Sequence, residues 1–323
     1  MRHFILHIIF FLFFSCEQRE LPIKPHNSGD IILSQIELES DYKNQVYYSI
    51  DSNQVISQNL KTDWDLGFES SDLGWRIILN SSTYSQATEI IDLDFYDVID
   101  IDQHDWRWDN PKGVDYGTAI GDYRENLSFY IIDRGYNLNG NKRGYRKMRV
   151  DSVTDSYYIV TYANLDNSDE TTLQIDKSNG TYFNYFSFES QSLLNIAPTD
   201  IDWDLLFTQY THIYPDNETT PSYLVTGVLI NYVKGIEVAK DTLNSFNDIT
   251  YEMATVSYEY LKEQDFIGFS WKSYDFDNQL YIVDPQIIYI IKTPIGRYYK
   301  LHFMDFYNSI GEKGYPKFEI QEL

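Results

Sequence analysis

The chain has 323 residues, with 49 acidic against 25 basic side chains and a formal net charge of −24. A protein so acidic is unlike those that grip a phosphate backbone through a basic face, which argues against a nucleic-acid partner. Tyrosine stands out at 29 copies beside 19 phenylalanines, and aromatics with abundant Ile, Thr and Val favour pleated surfaces, so an all-β fold long enough for two cores is expected.

Met1-Arg2-His3 followed by the apolar run Phe4 to Phe14 is a basic tip and a hydrophobic stretch too short to span a bilayer comfortably, which reads as an export signal over residues 1–15. The run ends at Leu12-Phe13-Phe14-Ser15-Cys16, where a small residue directly precedes the sole cysteine of the chain. This place resembles the lipobox of bacterial lipoproteins, in which the peptide is cut before the cysteine and that residue is acylated; Phe13 departs from the commoner leucine. An internal disulfide is then impossible, and stability must come from sheet pairing and apolar burial. Residues 16–29 mix prolines, a glycine and charges without apolar periodicity, the composition of a flexible tether. Glu17 and Glu20 loosely resemble the surface-export signal of Bacteroidetes-type lipoproteins, with Arg19 interrupting it.

A repeat organises the rest. Trp64-Asp65-Leu66-Gly67-Phe68 is echoed by Trp203-Asp204-Leu205-Leu206-Phe207, each a strand with one buried face and an aspartate free to tie down a turn. Tyr47-Tyr48-Ser49 and Tyr185-Phe186-Ser187-Phe188 lie about sixteen residues upstream of the respective tryptophans. Downstream, Phe129 to Asp133 answers Leu280 to Asp284, and Tyr145 to Val150 answers Tyr299 to Phe303, with Lys147 opposite Lys300 and Met148 a core residue. Preserved block order predicts two tandem antiparallel β domains, residues 30–178 and 179–323, with the boundary near Asn179.

Within the first, Trp75 to Asn80 reads as a strand, and Asn137 to Asn141 as a hairpin turn with Gly140 at the position needing a positive backbone angle. Asp92, Asp94, Asp97, Asp100, Asp102 and Asp105 suit either a calcium ion or a strand with a wet face, and no known calcium-loop spacing is present. His104 is expected to be exposed. Thr172 to Ile175 lies between two polar turns, a hairpin that would make the halves abut.

In the second half, Tyr185 to Phe188, the Trp203 block, Phe269-Ser270, Tyr289 to Lys292 with Gly296, and Lys300 to Tyr307 follow one another in an order that resembles the HmuY family. Its members are all-β surface lipoproteins of Bacteroidetes-type bacteria, and those studied bind haem beside a TonB-dependent outer-membrane receptor. The resemblance spans about residues 182–320 and, more weakly, the first half. It implies haem, or a related small apolar ligand, as cofactor or cargo, and a lipid anchor as the only membrane contact.

Haem iron takes His or Met donors from two sides of the porphyrin. The family's histidine directly after Phe-Ser corresponds here to Trp271, which cannot ligate. The remaining candidate donors are Met253, in the region of the family's other ligand, and His212, which opens the loop Tyr214 to Ser222 absent from the first copy. Core packing of Met253 and plain exposure of His212 are the competing readings. Tyr210 and Trp271 complete the candidate binding set, and His302 is expected to be solvated.

Enzymatic motifs are missing: no nucleophile elbow, no phosphate loop, no His-Glu-x-x-His. Asp65 and Asp204 as a carboxylate pair would more readily cap turns than perform acid–base chemistry. The expectation is therefore an outer-membrane, lipid-anchored iron-acquisition protein. A protein-binding or glycan-binding accessory without haem is the alternative, which exposed aromatics would also serve.

Overall fold

The computed structural model describes residues 27–323 except 98, 126, 127, 178, 179, 218 and 220. The export signal, Cys16 and the tether up to residue 26 lie outside the described residues, as do Ser178 and Asn179 at the expected boundary.

Strands dominate, as the aromatic and β-branched composition requires. The chain runs through β1 (Ile32–Gln35), β2 (Asn44–Ser49), β3 (Gln54–Leu60), β4 (Leu66–Glu69) and β5 (Ile77–Leu79). A meander follows: β6 (Gln86–Ile90), β7 (Phe129–Asp133), β8 (Tyr145–Val153), β9 (Tyr157–Ala163) and β10 (Thr171–Asp176). Next come β11 (Phe183–Ser187), β12 (Ser192–Leu194), β13 (Leu205–Ile213), β14 (Ser222–Ile230) and β15 (Glu237–Asp241). The short helix α1 (Tyr251–Val256) precedes β16 (Lys272–Asp275), β17 (Leu280–Val283), β18 (Ile288–Lys292), β19 (Tyr298–Tyr307) and β20 (Lys313–Glu322). No described helix is long and apolar enough to cross a membrane.

Two sandwiches result. In the first, the sheet β12-β11-β4-β5 faces β10-β9-β8-β7-β6, and the alternate residues between them, among them Leu66, Phe68, Ile132, Met148, Tyr158 and Phe186, form one core. In the second, β14-β13-β2-β3 faces β1-β20-β19-β18-β15 over Val46, Tyr48, Phe207, Val228, Trp271 and Phe303. The ribbon β16-β17 is a separate two-stranded sheet that packs on the second core through Tyr281 and Val283.

The sheets do not respect a cut near residue 179. β2 pairs with β13, Tyr48 opposite Leu205 and Val46 opposite Phe207, while β11 pairs with β4, Phe186 opposite Leu66. Each copy's Tyr-x-Ser strand thus lies against the tryptophan-aspartate strand of the other copy. The first sandwich draws on residues 66–194 and the second on 32–60 together with 205–322. Likeness between blocks reveals which segments are equivalent; it does not say which of two equivalent edges a strand will choose.

The Asp92 to Asp105 run is not a strand. It is a series of turns ending in a single 3-10 turn, Ile101–Gln103, capped by the Asp100 carboxylate, which accepts from Asp102 N at 3.0 Å. Asp97 similarly accepts from Asp94 N at 2.9 Å. Phe95 anchors the segment, buried edge-on against Phe129 at 5.5 Å. No cluster of three metal-capable side chains occurs among the described residues.

Candidate functional site

The two signature aspartates fasten the strand exchange. Asp65 Oδ2 accepts from Phe188 N at 2.8 Å, just past β11, and Asp204 Oδ2 accepts from Ile50 N at 2.7 Å, just past β2. Each is fully enclosed and each has its own cation: Arg134 Nε at 3.0 Å and Arg143 Nη1 at 3.0 Å for Asp65, Lys234 Nζ at 2.6 Å for Asp204. Beside them Asn80 Nδ2 donates to Lys61 O and Trp64 O, and Asn231 Nδ2 to Asp200 O and Trp203 O. Carboxylates held this tightly in separate ion pairs serve architecture, in line with the turn-capping role expected of them.

His212 lies near the end of β13, on the sheet face turned away from the second core. Its ring meets Tyr214 edge-on at 4.8 Å and Phe269 at 5.1 Å, with Tyr210 at 6.5 Å. Asp265 Oδ2 stands 3.5 Å from Nδ1, which has no hydrogen-bond partner. The side chain is 26% exposed, so an aromatic-flanked imidazole is presented at the surface with a carboxylate behind it. Asp265 and the approach of Phe269 have no sequence signature; they reach His212 only through folding.

Met253 is elsewhere. It sits in α1, whose first turn is capped by Thr250 Oγ1 accepting from Met253 N at 3.3 Å. With Tyr251, Tyr258, Tyr260 and Tyr298 it packs on Ala239, Ile288 and Ile290. In β18 those isoleucines alternate with Tyr289 and Ile291, which face the second core. Met253 therefore covers the outer face of one sheet and His212 the outer face of the other, with the sandwich between them. They cannot bind one iron from opposite sides.

His302 corrects a further expectation. It is buried, not solvated: Phe246 stacks on its ring at 4.1 Å, Nδ1 meets Pro285 O at 2.9 Å and Nε2 meets Glu319 Oε2 at 2.9 Å. The cause is the segment carrying Phe246 and α1, which lies over this face of β19 and also takes Lys300 Nζ onto Phe246 O at 2.7 Å. Lys147 makes the equivalent bond to Phe95 O at 2.5 Å in the first sandwich, so the alignment of the two lysines is borne out. Both are roofed over by a loop. His104 is half-buried.

Trp271 is core. It is fully buried, stacks on Phe303 at 3.9 Å and donates from Nε1 to Gly268 O at 3.1 Å. Tyr210 is likewise buried, packed with Tyr47, Trp203 and Leu206 on the face between the sandwiches. Neither is presented to a ligand. Beside Trp271, Lys272 donates to Thr226 O and lies over the rings of Trp271 at 4.3 Å and Phe306 at 4.9 Å. Burial without a carboxylate partner lowers its amine from 10.5 to about 7.

A family model described as HmuY protein matches residues 41–320. Among solved structures, apo PinO from Porphyromonas gingivitis is 7% identical, with 91% of this chain and 97% of that one covered at a TM-score of 0.30. An apo HmuY analogue from Tannerella forsythia is 9% identical, with coverages of 92% and 98% and a TM-score of 0.24. No curated protein matches.

Proposed function

The chain belongs to the HmuY protein family, matched over residues 41–320, and on that premise we propose that it is a binding protein rather than an enzyme. In this reading it is held at the cell surface by acylated Cys16, captures haem or a related small apolar ligand, and hands it to a TonB-dependent outer-membrane receptor. The observation that carries the haem reading is His212, an imidazole at the surface between Tyr214 and Phe269 with Asp265 at Nδ1. A metal-bound histidine commonly directs its other ring nitrogen to a carboxylate, and that leaves Nε2 as the donor. His212 thus fits one axial position; Met253 and Trp271 do not fit the other.

With one protein-derived bond, the porphyrin would be retained mainly by apolar and aromatic contact. Adding haem to the purified protein should shift the Soret band. His212→Ala should remove most of that shift and weaken binding at least about tenfold, the equivalent of ~1.4 kcal/mol. Met253→Ala should leave the spectrum unchanged. No spectral change in either oxidation state, with a competent control protein, would discard the haem reading in favour of a partner-binding accessory. That alternative is favoured by the exposed Tyr274 and Phe276 on the β16-β17 ribbon.

The anchor is tested separately. Cys16→Ser should move the protein from the membrane fraction to the soluble one; equally firm retention of the variant would refute acylation at this residue.

A further inference from the structure

The two tryptophan-aspartate copies repeat the same aspartate-to-backbone, asparagine and aromatic contacts until the indole nitrogens are reached. Trp64 meets Tyr185 edge-on at 4.8 Å, and Trp203 meets Tyr47 edge-on at 5.1 Å. Trp64 Nε1 then donates to Gln45 Oε1 at 2.9 Å, and Gln45 Nε2 continues to Ser82 Oγ at 2.8 Å and Thr208 Oγ1 at 3.2 Å. Gln45 stands two residues before Tyr47; two residues before Tyr185 stands Phe183. Ser82 stands two residues after Asn80; two residues after Asn231 stands Val233. Neither replacement has an acceptor, and Trp203 Nε1 is buried without a partner. An unpaired buried donor costs about 1–3 kcal/mol, so a native protein that keeps one invites a reason.

The surroundings supply it. Trp203, Phe183 and Val233, with Tyr47, Tyr185 and Asp200, line a cleft of about 60 Å³ between the two sandwiches. This interior part shares Thr181, Phe183, Tyr185 and Ala197 with an open mouth of about 320 Å³. Burial pushes the Asp200 carboxyl up to about 6, an environment hostile to anions. An unpaired indole N–H in an aromatic cleft calls for a carbonyl, and in the first copy the protein fills the corresponding place with an amide of its own, Gln45.

We propose that the cleft between the sandwiches binds a small, neutral, planar molecule with a carboxamide or lactam edge, whose carbonyl accepts from Trp203 Nε1–H where Gln45 serves Trp64. The ring of Phe183, in the glutamine's place, offers the ligand an aromatic wall. None of these residues belongs to the His212 surface, so the site is independent of haem capture.

The probe is benzamide, with toluene as a comparator of the same ring that lacks the amide. In haem-free protein labelled with ¹⁵N at tryptophan, the Trp203 indole signal is identified by its loss in Trp203→Phe. Benzamide should shift that signal saturably and toluene should not. Phe183→Gln, which gives the indole an internal acceptor, should abolish the response, and Ala197→Phe, which fills the passage shared by the mouth and the cleft, should do the same. His212→Ala should respond as the parent does, which separates this site from the haem surface. Absence of a saturable benzamide shift, an equal response to toluene, or full binding in Ala197→Phe would each overturn the proposal, even if Phe183→Gln fails to fold.

Discussion

Asp65→Ala should destabilise the protein by about 3–5 kcal/mol, the usual consequence of removing one partner from a buried ion pair. The carboxylate is 1% exposed and compensates Arg134 and Arg143, whose side chains are 4% and 8% exposed. Without it two guanidinium groups remain in the interior and Phe188 N loses its acceptor. The effect should exceed that of losing a surface pair several-fold, because an exposed pair contributes only about 0–1 kcal/mol. Urea unfolding followed by tryptophan fluorescence measures it, with the exposed Asp102→Ala as a control expected within about 0.5 kcal/mol of the parent. A loss under about 1 kcal/mol for Asp65→Ala would mean that the strand exchange does not depend on this carboxylate.

The second large effect concerns where the chain can be divided. A fragment of residues 62–195 contains every strand from β4 to β12 and all the residues of the first core. It should melt cooperatively, although it exposes Trp64 and Tyr185 that the second sandwich now covers. A fragment of residues 30–178 has lost β11 and β12, and carries β2 and β3 without β13. It should show little cooperative unfolding, since β2 is buried along its whole length but keeps only β3, having lost β13 on its other edge and most of the sheet that faces it. Calorimetry on both fragments decides the matter. A sharp transition from 30–178 together with none from 62–195 would show that the chain divides near residue 179 after all.

The sequence by itself determined a great deal at short range. Tyrosine-rich alternation announced strands, and the recurrence of Trp-Asp located both signature strands, β4 and β13, together with the blocks around them. Turn chemistry was equally readable: Gly140 takes a backbone φ of 77° in the Asn137 to Asn141 turn. Met148 was legible as core because its block answers the one that carries Leu301, and both side chains are buried. These features follow from local rules, a period of two along a strand and a few residues that tolerate tight turns.

What only the tertiary structure decided is which surfaces meet. Alternation says that Tyr48 and Phe186 face inward; it does not say that each will lie beside the other copy's aspartate. His302 looked solvated because its strand has a polar face, yet a loop and a short helix roof that face over. His212 and Met253 are 41 residues apart in the chain, and nothing in that spacing reveals a whole sandwich between them. Phe183 and Val233 are ordinary apolar residues in the sequence. They acquire meaning only from their place beside Trp203, where the first copy has Gln45 and Ser82, because the need of a buried N–H for an acceptor is set by the neighbours that folding brings to it.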